Sequence, residues 1–285
     1  MCEFCHTHGE GKKWYLQAAN YSDDLLSDLR RRRYIEEFFA DPGRLAGSEK
    51  YLAILDRLPR LLRRPIVNAI VEKQKLHHYG QVVPLEDVAG IMGLVTSVVR
   101  LACICRMTTV GPEQRYCYGL SLGADGGALS GIIRSLGADY LTGPETKGLE
   151  TVGKEEAMAV FSEYERRGLC HTLWTFQTPF IAGLCNCNRT ECYAMRATLQ
   201  HGVPIFFKAE YAAEADAEKC TGCRACERVC QFGAISHQSG TNKIKIDQKA
   251  CYGCGICRSV CRVEAITLRD RIQEPGKLAA AATSI

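Results

Sequence analysis

Apolar residues recur at three- and four-residue steps between Asp23 and Phe39, at Leu25, Leu26, Leu29, Tyr34, Ile35, Phe38 and Phe39. That period puts them on one face of a helix, with Ser22 as its cap and Asp41-Pro42-Gly43 as its stop. Similar steps predict helices over Leu52 to Leu62, crossed by Pro59, and over Ile66 to His77, with Pro65 near the first turn. Pro84-Leu85-Glu86-Asp87 opens a fourth, expected to run through Arg100, and together the four predict a helical bundle. The pattern then changes. Gly119 to Gly143 is glycine-rich but holds no G-x-G-x-x-G or P-loop string, so it predicts turns and tight packing, not a nucleotide site. Glu155 to Arg167 is a helix stopped by Gly168, Leu169 to Phe176 a strand, Glu191 to Gln200 a helix and Val203 to Phe207 a strand. The expected fold class is α+β, with a helix-rich N-terminal domain over residues 1–211, a second domain over 212–270 and a tail over 271–285.

Composition narrows this picture. A chain of 285 residues that is 46% hydrophobic can build a real core, and a net charge of +4 gives no reason to expect nucleic acid. The longest apolar run, Val88 to Val99, is too short to span a bilayer. Seventeen cysteines would suit a secreted disulfide scaffold, but Met1 to Lys13 lacks an apolar signal region, which points to the reducing cytoplasm. Arg30 to Arg33 reads as a solvated face, and His77 and His78 as cations complementing a helix C-terminus.

Sulfur carries the chemistry. Cys220, Cys223, Cys226 and Cys230, and then Cys251, Cys254, Cys257 and Cys261, repeat the spacing C-x-x-C-x-x-C-x-x-x-C. The repeat extends past sulfur, pairing Gly222 with Gly253, Val229 with Val260 and Ala234-Ile235 with Ala265-Ile266. Thiolates two residues apart on a curling loop can each reach one corner of a cubane, and the small residues let backbone N–H groups approach the sulfurs. A pair of structural zinc sites is the minor alternative. The segment resembles the bacterial dicluster ferredoxin family, over about the last fifth of the chain. That resemblance implies two [4Fe-4S] clusters, one on Cys220, Cys223, Cys226 and Cys261, the other on Cys251, Cys254, Cys257 and Cys230. It also implies single-electron transfer. Where the family usually has proline after the last cysteine of each run, this chain has Gln231 and Arg262.

Other cysteines form a second group. Cys103-Ile-Cys105 with Cys117, and Cys185-Asn-Cys187 with Cys192, use a spacing that faces both thiolates to one side of an extended segment. These six would hold a third metal centre, an iron–sulfur cluster or zinc, the alternative being plain buried thiols. The N-terminal part is loosely similar to uncharacterised anaerobe iron–sulfur proteins carrying a C-N-C motif before such a module. Arg106, Arg115 and Arg189 lie near these cysteines in sequence. Cys2, Cys5, His6 and His8 read either as inert thiols and histidines of a mobile terminus or as further zinc or iron ligands; their C-x-x-C-H string is discounted as a haem site because no export signal precedes it.

Between Asp216 and Asp270 nine basic residues outnumber six acidic ones, and Arg224, Arg228, Arg258 and Arg262 lie in or beside the motifs. That charge favours reduced clusters and an acidic docking surface on a redox partner. The leading expectation is an iron–sulfur electron-transfer protein or subunit of an anaerobic redox system, its two clusters exchanging electrons with the third centre. A reductase acting at the N-terminal cysteines and a redox-sensing DNA-binding regulator are the rival expectations.

Overall fold

The computed structural model describes residues 13–41, 43–107, 109–110, 115–137 and 149–271. Cys2, Cys5, His6 and His8 and nearly all of the tail over 271–285 lie outside the described residues.

The helix expected over Asp23 to Phe39 is two elements. Ser22 caps a short 3-10 turn, Asp23–Ser27, and Asp28 then caps α1, Leu29–Ala40, its Oδ1 accepting from the Arg30 amide at 2.9 Å. The Ser27-Asp28 pair is a capping signal inside an otherwise unbroken apolar pattern. Helix α2, Gly43–Asp56, ends before Pro59, and Pro59 caps α3, Arg60–His77. Strand β1, Gly80–Val82, follows.

Helix α4, Leu85–Leu94, ends short of Arg100, and the β-branched run after it forms β2, Ser97–Leu101. The N-terminal region is thus a layered α+β structure, not a bundle. Next come α5, Ile104–Met107, β3, Cys117–Ser121, α6, Gly127–Ser135, β4, Glu150–Val152, and α7, Lys154–Arg166. Strands β5, Cys170–Thr175, and β6, Ile181–Cys187, precede α8, Tyr193–Leu199, and β7, Phe206–Phe207.

These strands make one seven-stranded sheet in the order β4-β2-β3-β6-β5-β1-β7. Its pairs are antiparallel except β1 with β7. One face packs against α4 and α7 through Val88, Ile91, Phe161, Tyr118, Leu173 and Leu184. The other carries α1 and α6 at one end, through Ile35, Phe39, Ile132 and Phe176, and α2 and α8 at the other, through Leu52, Met195 and Val82. Every residue of β5 is buried, as a central strand covered on both faces requires.

Two expectations about charge change. Arg31 is buried, donating to the Phe176 carbonyl at 3.2 Å and the Gln177 carbonyl at 3.1 Å, and to Leu25, so the run Arg30 to Arg33 is not one solvated face. His78 turns away from the end of α3 into a nest of aromatic rings, stacked on Trp174 at 4.8 Å and beside Phe38 at 4.8 Å. Burial pushes its pKa down to about 4, against the opposing hydrogen bond to Thr175, so at neutral pH it does not serve the helix as a cation.

The C-terminal part begins with β8, Tyr211–Ala215, which pairs antiparallel with β11, Ile266–Asp270. Between them lie α9, Ala225–Val229, the hairpin of β9, Ile235–Gln238, with β10, Lys243–Ile246, and α10, Ile256–Ser259. Among the described residues no helix is long and apolar enough to cross a membrane.

Candidate metal centres

The duplicated spacing is a duplicated structure. In the first copy the Cys220 amide donates to the Asp216 carbonyl at 3.0 Å and the Ala234 amide to Cys230 Sγ at 3.3 Å. In the second, Cys251 donates to Asp247 at 2.9 Å and Ala265 to Cys261 Sγ at 3.3 Å. Gly222 and Gly253 hold φ values of 71° and 73°, and a Cβ on either would collide with a carbonyl, that of Asn242 or of Tyr211. The repeated glycine is therefore a backbone requirement. Six of the eight thiols, all but Cys223 and Cys254, form one cluster with the apolar residues around them, among them Ala213, Ile235, Ile244 and Ile266.

The two motifs differ in surroundings. Cys223 is exposed, with Arg224 and Arg228 exposed beside it. The second motif faces the large sheet: Tyr252 stacks on Phe232 at 4.1 Å and touches Phe206 at 5.4 Å. Arg258 pairs with Glu86 at 2.7 Å, and Ser259 donates to the buried Glu165. Gln231, standing where the ferredoxin family has proline, donates to the Gly168 carbonyl at 2.7 Å and accepts from the Arg189 amide at 3.1 Å. The side chain that replaces the ring ties this part of the chain to the sheet.

Sheet register assembles the six other cysteines. Cys117 lies opposite Cys185, and Cys187 opposite Cys170, so all four share one face of the sheet. Cys103 and Cys105 come in from the turn and helix after β2, and Cys192 caps α8. Cys185 Sγ stands 2.9 Å from Cys117 Sγ, and Cys192 Sγ 3.4 Å from Cys187 Sγ. Cys103 joins Cys105 and Cys117, and Cys105 joins Cys192, which closes one network of six thiols. No group of three or more His, Cys, Asp or Glu among the described residues is arranged around a single ion.

Hydrogen bonds from Cys105 and Cys117 hold Cys103 well below the usual thiol range despite its burial, with Arg106 adding to the effect. Cys105 and Cys187, and the Met195 amide of α8, do the same for Cys192. Arg106 is fully buried: it pairs with Glu191 at 2.7 Å, donates to the Asn186 carbonyl at 2.9 Å and lies 3.8 Å over the Tyr116 ring. Burial opposes its charge, but Cys103 and Glu191 outweigh that and raise its pKa. Its Nη2 has no partner among the described residues, so the site has a donor to spare for an anionic group. Thiols are the donor type that iron–sulfur clusters and zinc take. Arg115 pairs instead with Glu150 at 3.2 Å, and the Arg189 side chain is exposed.

Cys170 has no C-x-C partner, and its role is invisible in the spacing. It is fully buried within hydrogen-bonding reach of Cys254 and in one apolar cluster with Cys187 and Cys192. A cavity of about 290 Å³ opens on the six cysteines and extends to Tyr34, Phe38, His78, Trp174 and Phe176.

Residues 212–277 match the family model of the 4Fe-4S dicluster domain. No curated protein matches the chain. The C-terminal part is thus an iron–sulfur dicluster ferredoxin domain with an electron-transfer role, which implies a redox partner.

Proposed function

We propose that the chain is an electron-transfer protein or subunit of an anaerobic redox system, in which the two [4Fe-4S] clusters exchange single electrons with a third metal centre in the N-terminal domain. Cys220, Cys223, Cys226 and Cys261 would hold one ferredoxin cluster and Cys251, Cys254, Cys257 and Cys230 the other. Cys103, Cys105, Cys117, Cys185, Cys187 and Cys192 are the ligand pool of the third, more thiols than the roughly four such a centre needs. The division into residues 1–211 and 212–270 belongs to this reading.

The observation that carries it is the buried contact between Cys170 and Cys254, which leaves one side chain between a ferredoxin ligand and the six-thiol network. The surroundings give the relay a direction. The exposed Cys223, with Arg224 and Arg228, is the side open to an acidic partner, whereas the second motif is buried against the sheet. Tyr252, Phe232 and Phe206 keep water from that junction, and Arg106 neutralises charge at the inner site.

The test is anaerobic iron, sulfide and zinc analysis with EPR on the full chain and on a Cys185→Ser, Cys187→Ser double variant. About twelve irons in the first and about eight in the second would support a third cluster. About eight in both, with zinc at the inner site, would leave that site without redox chemistry and overturn the relay. A second reading, a reductase acting at the six cysteines, is favoured by the cavity that opens on them.

A further inference from the structure

We propose that the cavity beside the six cysteines is a binding chamber for a small, neutral, aromatic molecule. The proposal deepens the reading above only in placing that molecule next to the third metal centre; binding itself does not depend on that centre.

The chamber has two dissimilar ends. At the inner end Cys103, Cys187 and Cys192 are buried. At the outer end Tyr34, Phe38, Gln74 and His78, from α1 and α3 and the residue after it, are partly exposed and form the mouth. None of the six thiols belongs to these outer elements, so a cluster on the cysteines would fill the inner end alone. Packed interiors hold few voids larger than a water molecule, and apolar cavities of about 150 Å³ take up benzene. At about 290 Å³ this one has room for a metal centre and a ring.

Its lining sets the ligand class. No Asp, Glu, Lys or Arg lines it, while Phe39, Trp174 and Phe176 add aromatic faces. Arg106 does not line the cavity, so a charged ligand in the chamber would lose its hydration without gaining a partner. Trp174 already donates its indole N–H to Thr172 Oγ1 at 2.9 Å. His78 Nδ1 lies 2.6 Å from the Thr175 carbonyl, which can only accept, so Nδ1 carries the proton. Nε2 of the neutral ring then has a lone pair, suited to one N–H or O–H on the ligand.

The experiment uses the full-length, iron-loaded protein under anaerobic conditions, titrated with indole, toluene and benzoate by calorimetry. Indole and toluene should bind, and benzoate at least about tenfold more weakly. Ala182→Leu, which fills the chamber from the β6 wall, should weaken indole about tenfold or more with iron content unchanged. Should that variant not fold, His78→Phe keeps the ring and removes the acceptor; indole should then weaken about tenfold while toluene holds. Benzoate binding as tightly as toluene, or indole binding only after iron is stripped, overturns the chamber, the latter because the space would then be cluster volume. Indole binding to unmodified protein that holds only about eight irons leaves the chamber standing and the relay refuted. Third-centre iron with no indole binding does the reverse.

Discussion

The C-terminal thiols and the six N-terminal thiols are assembled by opposite means. In the C-terminal domain each copy folds its own cysteines, and the local bonds from Cys220 to Asp216 and from Cys251 to Asp247 recur with the spacing. The inner group depends on β3, β6, α5 and the cap of α8 meeting, which only the register of a seven-stranded sheet provides. One site is a property of a segment, the other of a whole layer. Damage should therefore stay local in the first and spread in the second.

The sharpest test of that contrast is Cys254→Ala. It should remove about four of the irons, with the far-UV spectrum of the N-terminal sheet unchanged; retention of all iron would break the ligand assignment. Next in size is Arg106→Met. It removes the buried guanidinium's bonds to the half-exposed Glu191 and to the Asn186 carbonyl, while Glu191 keeps its bond from Asn188, so the cost should be about 1.5–3 kcal/mol in urea unfolding, and the loss should reach every inner cysteine together. A cost below about 1 kcal/mol would mean the inner site does not rely on that charge.

The same contrast explains how much the sequence could show. The eight-cysteine repeat was legible because ligand spacing and repeat are both local. Cys117 was grouped with the two C-x-C strings but without a partner, and its place opposite Cys185 was not legible, since strand register is a long-range property. Cys170 carried no signal, because its partner Cys254 lies in the other domain. The expected bundle failed at Val95 to Leu101, where β-branched residues continued an apolar pattern that periodicity alone could not assign. The α+β class and the dicluster domain held.

Smaller effects sharpen the junction between the two regions. Gln231→Ala removes hydrogen bonds to Gly168 and Arg189 and should cost about 1–2 kcal/mol in stability, with all iron retained. Gln231→Pro, which restores the ferredoxin family's residue, should lose the same bonds, so equal stability of wild type and both variants would show the tie to be idle. The smallest effect is at His78. Its folded pKa of about 4 lies below the usual 6.5, so the unfolded chain binds more protons between those values. Stability from this residue is present above pH 6.5 and lost as pH falls towards 4. Urea midpoints at pH 7 and pH 5 should differ less for His78→Gln than for wild type; an unchanged difference would count against a half-buried neutral imidazole.

Strand β8 starts after only Lys208, Ala209 and Glu210 beyond β7, and its partner β11 brings the far end of the domain back to the same place. Arg271, just past β11, donates to the Ala209 carbonyl at 2.9 Å and returns its own amide to Glu210 at 2.8 Å. The C-terminal domain is pinned at both of its ends and has no tether on which to swing. Electron passage inside the protein should then be indifferent to solvent viscosity, and only the encounter with the external partner should slow in glycerol.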